Sequence, residues 1–163
     1  MEGQPVISVI GSSAPPAETY ELARQVGRLL ARAGCTVVCG GKGGVMEAVC
    51  RGVAEEKGFS LGLLPAGIEE ANPYVTLPLS TGLGEIRNVA VVSSGDAVIS
   101  IGGAFGTLSE IGFALKLGKP VIALNTWSVQ EPGAEPPLLQ ASTPEEAVKL
   151  ALEKAGKEHH GGR

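Results

Sequence analysis

Three short stretches of this chain carry residue types that could grip a phosphate: "GSS" at Gly11, Ser12 and Ser13, "GGKGG" at Gly40, Gly41, Lys42, Gly43 and Gly44, and "GGAFG" with Gly102, Gly103 and Gly106. Glycine admits positive φ and lets a ligand approach the backbone with no Cβ in the way. A helix that follows such a loop offers unpaired N–H groups with partial positive charge. One such loop is ordinary turn chemistry, whereas three of them after three strand patterns favour a binding site. Lys42 could meet the anion or lie solvated on its loop. Ser12 and Ser13 could donate to the same ligand or cap the region that follows. No GxxxxGK[ST] is present, and no GxGxxG follows the first strand pattern, so ATP hydrolysis and hydride transfer lack support.

The third loop runs into Thr107 and, three residues on, Glu110. That spacing matches a capping box, in which the threonine side chain accepts a third-residue N–H and the glutamate reaches back to the cap. It equally suits a threonine at an anion site with a carboxylate one turn further along, and the spacing leaves both readings open. Arg87 stands in the otherwise apolar "IRNVAVV". It is either a site residue or an exposed or salt-bridged side chain. Asp96 reads as a residue that ends a helix and orders a turn.

The elements that must position these residues follow from periodicity. Short β-branched runs at Val6–Ile10, Thr36–Cys39, Ser60–Leu64, Ala97–Ile101 and Val121–Leu124 alternate with helical apolar spacing over Tyr20–Ala33, Val45–Ala54, Gly84–Ser94, Thr107–Leu117 and Pro144–Ala155. Tyr74–Leu79 is a weaker edge strand because Pro73 and Pro78 remove ladder donors. Thr143 before Pro144 makes an N-cap and first-turn pair, with Glu145 and Glu146 favoured by the helix dipole. The Pro-rich segment 127–142 reads as a surface loop. The alternation predicts an α/β, Rossmann-like, doubly wound and mainly parallel sheet with helices on both faces. Ligands then collect at the carboxyl ends of the strands, where the three glycine loops lie. A single domain is expected over 1–156, followed by a polar tail over 157–163 that holds His159 and His160.

Composition narrows the function class. A net charge of -4 with no dense basic run argues against nucleic acid. No apolar run reaches the roughly 20 residues of a membrane span, and the first residues lack the pattern of a signal peptide, so no membrane partner and a cytoplasmic location are expected. The three cysteines, Cys35, Cys39 and Cys50, read as buried reduced thiols, with no metal site. The pattern around Leu108, Ile111, Phe113, Ala114, Leu115 and Leu117 is apolar on most of a helix circumference. It implies deep burial or a partner, hence a homodimer or higher homo-oligomer.

The motifs "VIGSS", "GGKGGVMEAV", "IRNVAVVSSGDAVISIGG" and "GGAFGTLSE" cover most of the chain from Val6 to about Leu124. Through them the chain resembles the Rossmann-like SLOG superfamily. That superfamily includes proteins labelled possible lysine decarboxylases, the LONELY GUY cytokinin riboside 5'-monophosphate phosphoribohydrolases and the molybdenum cofactor carriers. The hydrolases carry PGGxGTxxE. Here Ile101 replaces the proline and one extra residue gives GGxxGTxxE, which points to the carrier-like branch. Arg87 keeps the hydrolase arginine nine positions before Asp96, but Asn88 and Ala90 stand where that pattern has a lysine and an acidic residue.

The resemblance implies a small phosphorylated ligand, AMP-like or the molybdenum cofactor, with no further cofactor required. It would be held by the three loops together with Arg87, Asn88, Thr107 and Glu110. In a hydrolase Glu110 would stabilise an oxocarbenium-like state and Arg87 would pair phosphate or orient the carboxylate, releasing a base and ribose 5-phosphate. Lysine decarboxylation is rejected, because it normally needs a pyridoxal phosphate lysine that no segment announces.

Overall fold

Each β-branched run becomes a strand and each amphipathic stretch a helix that crosses back over the sheet. The computed structural model describes residues 3–158. The elements in chain order are β1 (Val6–Gly11), α1 (Ala17–Arg32), β2 (Thr36–Cys39), α2 (Val45–Glu55), β3 (Phe59–Leu64), β4 (Leu77–Ser80), α3 (Arg87–Ser94), β5 (Ala97–Gly102), α4 (Phe105–Lys116), β6 (Val121–Thr126), β7 (Leu139–Ala141) and α5 (Pro144–Glu158). His159, His160 and the rest of the expected tail beyond Glu158 lie outside the described residues.

The strands form one sheet in the order β4-β3-β2-β1-β5-β6-β7, and every pairing is parallel. The chain therefore winds outward from β1 to β4, then returns to β5 on the other side of β1 and winds outward again. This switch opens a crevice at the carboxyl ends of β1 and β5. Alternate strand residues feed two apolar layers. Ile7, Val9, Val37, Cys39, Ile99 and Ile101 pack with residues of α1, α2 and α5, while Ile10, Val38, Val98 and Val121 pack with Val91 and Val92 of α3 and Ile111 and Ala114 of α4. Both faces are covered, as a parallel sheet requires. Among the described residues no helix is long and apolar enough to cross a membrane.

Four boundaries differ from the pattern reading, each for a local reason. The edge strand begins at Leu77 rather than Tyr74, because the amides of Tyr74 and Val75 donate to the side-chain oxygen of Asn72 (3.0 and 3.1 Å) and are spent on a turn. Pro78 is tolerated because β4 is the edge of the sheet, where a missing donor costs no ladder bond. The segment 127–142 is not all surface loop: Leu138 is buried and Leu139–Ala141 pairs with β6. Gly84–Ile86 is a 3₁₀ turn, and the α-helix proper starts at Arg87. Finally, α4 starts at Phe105, two residues before Thr107.

Further local expectations hold at Thr143 and at the cysteines. The Thr143 hydroxyl accepts the Glu146 amide at 3.1 Å, and the Glu146 carboxylate accepts the Ser142 amide at 2.8 Å, a reciprocal cap. Asp96, expected to end a helix and order a turn, instead ties the start of β1 to the start of β5, its carboxylate accepting the Val6 amide at 2.9 Å. All three cysteines are buried and unbridged.

Candidate functional site

The three glycine loops converge on a cleft of about 320 Å³ over the ends of β1, β2 and β5. Gly11, Ser12 and Ser13 form one wall, and Gly40, Lys42 and Gly43 a second. Gly106, Thr107 and Glu110 contribute from α4, and Arg87 with Asn88 from the start of α3. Gly41, Gly44, Gly102 and Gly103 are not part of this lining. Gly44 is the hinge into α2, at φ 69° and ψ -131°, and a Cβ there would strike the backbone of Ser12 and Ser13. Gly102 and Gly103 turn the chain at φ 61° and 127° and face a neighbouring crevice. These glycines shape the loops, while their neighbours face the cleft.

The capping-box reading of Thr107 and Glu110 fails. Ala104 is the residue before the first turn of α4, and no side chain caps it. Thr107 thus sits inside the first turn and Glu110 one turn on. Three residues apart on a helix, they share the face that looks into the cleft. The first N–H groups of α4 lack carbonyl partners within the helix and flank the same space. A phosphate placed there meets both aligned amides and the positive end of the helix dipole.

Arg87 is buried, at 8 % exposure, which excludes the exposed alternative. Its Nη1 donates to Asn88 Oδ1 at 2.7 Å, while its Nε is buried with no hydrogen-bond partner. Gly40 makes room for the guanidinium: a Cβ at that position would collide with Nη1 and with the Met46 sulfur. Burial lowers the Arg87 pKa, and the negative field of Glu110 opposes that effect most. Glu110 is perturbed in turn, since burial raises its carboxyl to about 7 although Arg87 pulls it down. Burial outweighs the attraction because the two groups do not close into an ion pair. Lys42 is not free: its ammonium lies 3.5 Å from Glu70, both side chains being exposed.

The GGKGG loop is held by a residue that the sequence pattern did not single out. Asn72 is buried and donates through Nδ2 to the carbonyls of Gly41 (3.1 Å) and Lys42 (2.9 Å). With the Tyr74 and Val75 amides on its oxygen, it satisfies four backbone groups at once. An asparagine before a proline reads only as turn chemistry. Ala104, Met46 and Glu85 also line the cleft and carry no distinctive sequence signal. Among the described residues no group of three or more His, Cys, Asp or Glu could hold a metal ion.

The model of the SLOG cluster4 family matches residues 4–152. An uncharacterized protein of Archaeoglobus fulgidus is 40% identical over 151 residues, which span 93% of this chain and 97% of that one. Among solved structures, the molybdenum cofactor binding protein of the phototrophic bacterium Rippkaea orientalis superposes with a TM-score of 0.84 at 31% identity, covering 94% of this chain and 98% of the other. The molybdenum cofactor carrier protein of Chlamydomonas reinhardtii gives 0.84 at 27%, covering 94% and 99%.

Proposed function

The chain belongs to the SLOG cluster4 family, and from that premise we propose that it binds and carries a phosphorylated, nucleotide-like ligand whose phosphate sits among the three glycine loops. The molybdenum cofactor is the favoured ligand, because two similar structures are named for binding or carrying it.

The observation that carries the reading is Arg87 Nε, a buried cationic donor with no partner beside a polar cleft. A buried charged donor is costly unless paired, and an incoming oxyanion would satisfy it. In this reading the α4 amides and the Gly11–Ser13 loop take the remaining phosphate oxygens. Asn88 fixes the guanidinium plane, and no metal is required from the protein.

One observation favours hydrolysis: Glu110 and Arg87 line the same cleft. The electrostatics weigh against it. A carboxyl titrating at about 7 is half protonated near neutrality, and a phosphate dianion nearby would raise it further. An oxocarbenium-like state needs the ionised form.

We further propose that a second copy of this chain covers Ile86, Phe113 and Leu117, which remain 72%, 42% and 48% exposed on the α3–α4 side. Deployment in the cytoplasm belongs to the same reading.

Calorimetry with AMP and with molybdenum cofactor tests the binding proposal. Saturable binding that Arg87→Ala weakens at least tenfold supports it, and affinity unchanged in that variant refutes it. Release of free base from AMP or a cytokinin riboside monophosphate, above a Glu110→Ala control, would establish the hydrolase instead.

A further inference from the structure

Phe105 is 80 % exposed, more than any other large apolar side chain among the described residues. It is the first residue of α4 and stands between Ala104 and Gly106, both of which line the phosphate cleft. Its exposure is not that of a free rotor. The ring leans on Trp127 with centroids 5.6 Å apart and planes inclined by 35°. Trp127 is itself anchored, because its indole N–H donates to the Ala104 carbonyl at 2.9 Å.

Trp127 also lines a second crevice, about 420 Å³, together with Gly102, Gly103, Asn125, Thr126 and Ser128. Its shape is built rather than incidental. The register between β5 and β6 slips at Gly102, which pairs with Thr126, and Asn125 takes a left-handed φ of 51°. The Thr126 hydroxyl ties this bulge to the Gly102 carbonyl and lies 2.9 Å from Ser100 Oγ. The Phe105–Trp127 pair thus stands beside a crevice whose lining joins two glycines to the polar residues Asn125, Thr126 and Ser128.

We infer that Phe105 and Trp127 form a stacking ledge for a flat nitrogen heterocycle, a purine or a pterin, joined to the phosphate in the neighbouring cleft. Aromatic faces hold such rings by stacking. Consecutive Cα atoms are about 3.8 Å apart, so the ledge starts one residue from the α4 amides, within reach of a sugar-sized linker. The placement also accounts for a large apolar ring left in water at a helix terminus, where the core gains nothing from it. The inference rests on the phosphate reading of the cleft, and the test separates the two.

Trp127 is the chain's single tryptophan, so its fluorescence reports the ledge directly. AMP, dihydroneopterin monophosphate, ribose 5-phosphate and adenosine are titrated against the wild type and Phe105→Leu, which keeps an apolar side chain but removes the aromatic face. The two ring-bearing phosphates should quench Trp127. At least one should bind about 5- to 150-fold tighter than ribose 5-phosphate, and their order tells purine from pterin. Phe105→Leu should collapse that ratio towards one and leave ribose 5-phosphate binding unchanged.

Quenching by adenosine with no ribose 5-phosphate binding would keep the ledge and remove the phosphate reading. Equal affinities with and without the ring would overturn the ledge, as would quenching untouched by Phe105→Leu or no quenching by any ring-bearing probe. A change of oligomeric mass in Phe105→Leu with the ring preference intact would overturn it too, since the residue would then serve assembly.

Discussion

Replacing Glu110 by glutamine should make the protein more stable at alkaline pH, and the size of the gain follows from the cleft. The carboxyl titrates at about 7 in the folded chain because burial outweighs the pull of Arg87, against about 4.3 in an unfolded one. A raised folded pKa means that the native state binds the extra proton. Its stabilising contribution is complete below about pH 4.3 and is lost as pH rises through about 7. Each unit is worth about 1.4 kcal/mol, so the full span is about 3.7 kcal/mol, of which about 1.4 kcal/mol falls between about pH 6 and pH 8.5. Glutamine has no proton to lose and keeps a donor and an acceptor. Thermal unfolding of both proteins at those two pH values measures the difference. The wild type should lose about 3–6 °C more than Glu110→Gln over that interval, at about 2–4 °C per kcal/mol for a chain of this size. A parallel pH response in the two proteins would mean that Glu110 is already ionised, and the argument against hydrolysis would fall with it.

Three further outcomes follow from the scaffold and the surface. Asn72→Ala removes four hydrogen bonds to the backbone of Gly41, Lys42, Tyr74 and Val75; chemical denaturation should show a loss of about 2–4 kcal/mol, and phosphate affinity should fall although the residue lies outside the cleft lining. Gly44→Ala puts a Cβ into the Ser12–Ser13 backbone at a φ of 69°; a cost of about 1–3 kcal/mol in the same assay, with weakened ligand-induced stabilisation, is expected. Leu117→Lys alters an apolar residue that is 48% exposed; light scattering should show a wild type larger than 16.6 kDa and a variant shifted towards that mass, and a monomeric wild type would remove the second copy from the α3–α4 face.

The arrangement of strands and crossovers was legible because β-branched runs and helical apolar spacing keep their meaning when the chain folds on itself. The departures sit where a side chain competes for the backbone. Tyr74 and Val75 have strand-like residue types, yet Asn72 takes their amides. The residues of β7 are few and follow prolines, so only the β6 ladder beside them makes Leu139–Ala141 a strand. The glycine loops were visible as composition, but composition does not tell a glycine that bends the chain from one that faces a ligand. Gly44 and Gly40 look alike in "GGKGG". The first is needed for its φ and the second for the space it leaves Arg87.

Thr107 and Glu110 show why the chemistry was harder to read than the fold. A threonine and a glutamate three residues apart satisfy a capping box only if the helix begins at the threonine, and the same spacing puts both side chains on one face if it begins earlier. The start is set upstream, by Gly102 and Gly103 turning the chain and Ala104 leading into Phe105. The extra residue of GGxxGT lies where the glycine turn meets the start of α4. In this chain α4 begins before Thr107, Thr107 and Glu110 line the cleft with Arg87, and Phe105 lies beside Trp127. Shortening the loop by one residue should therefore move both the phosphate affinity and the Trp127 quenching, whereas Phe105→Leu should move only the second.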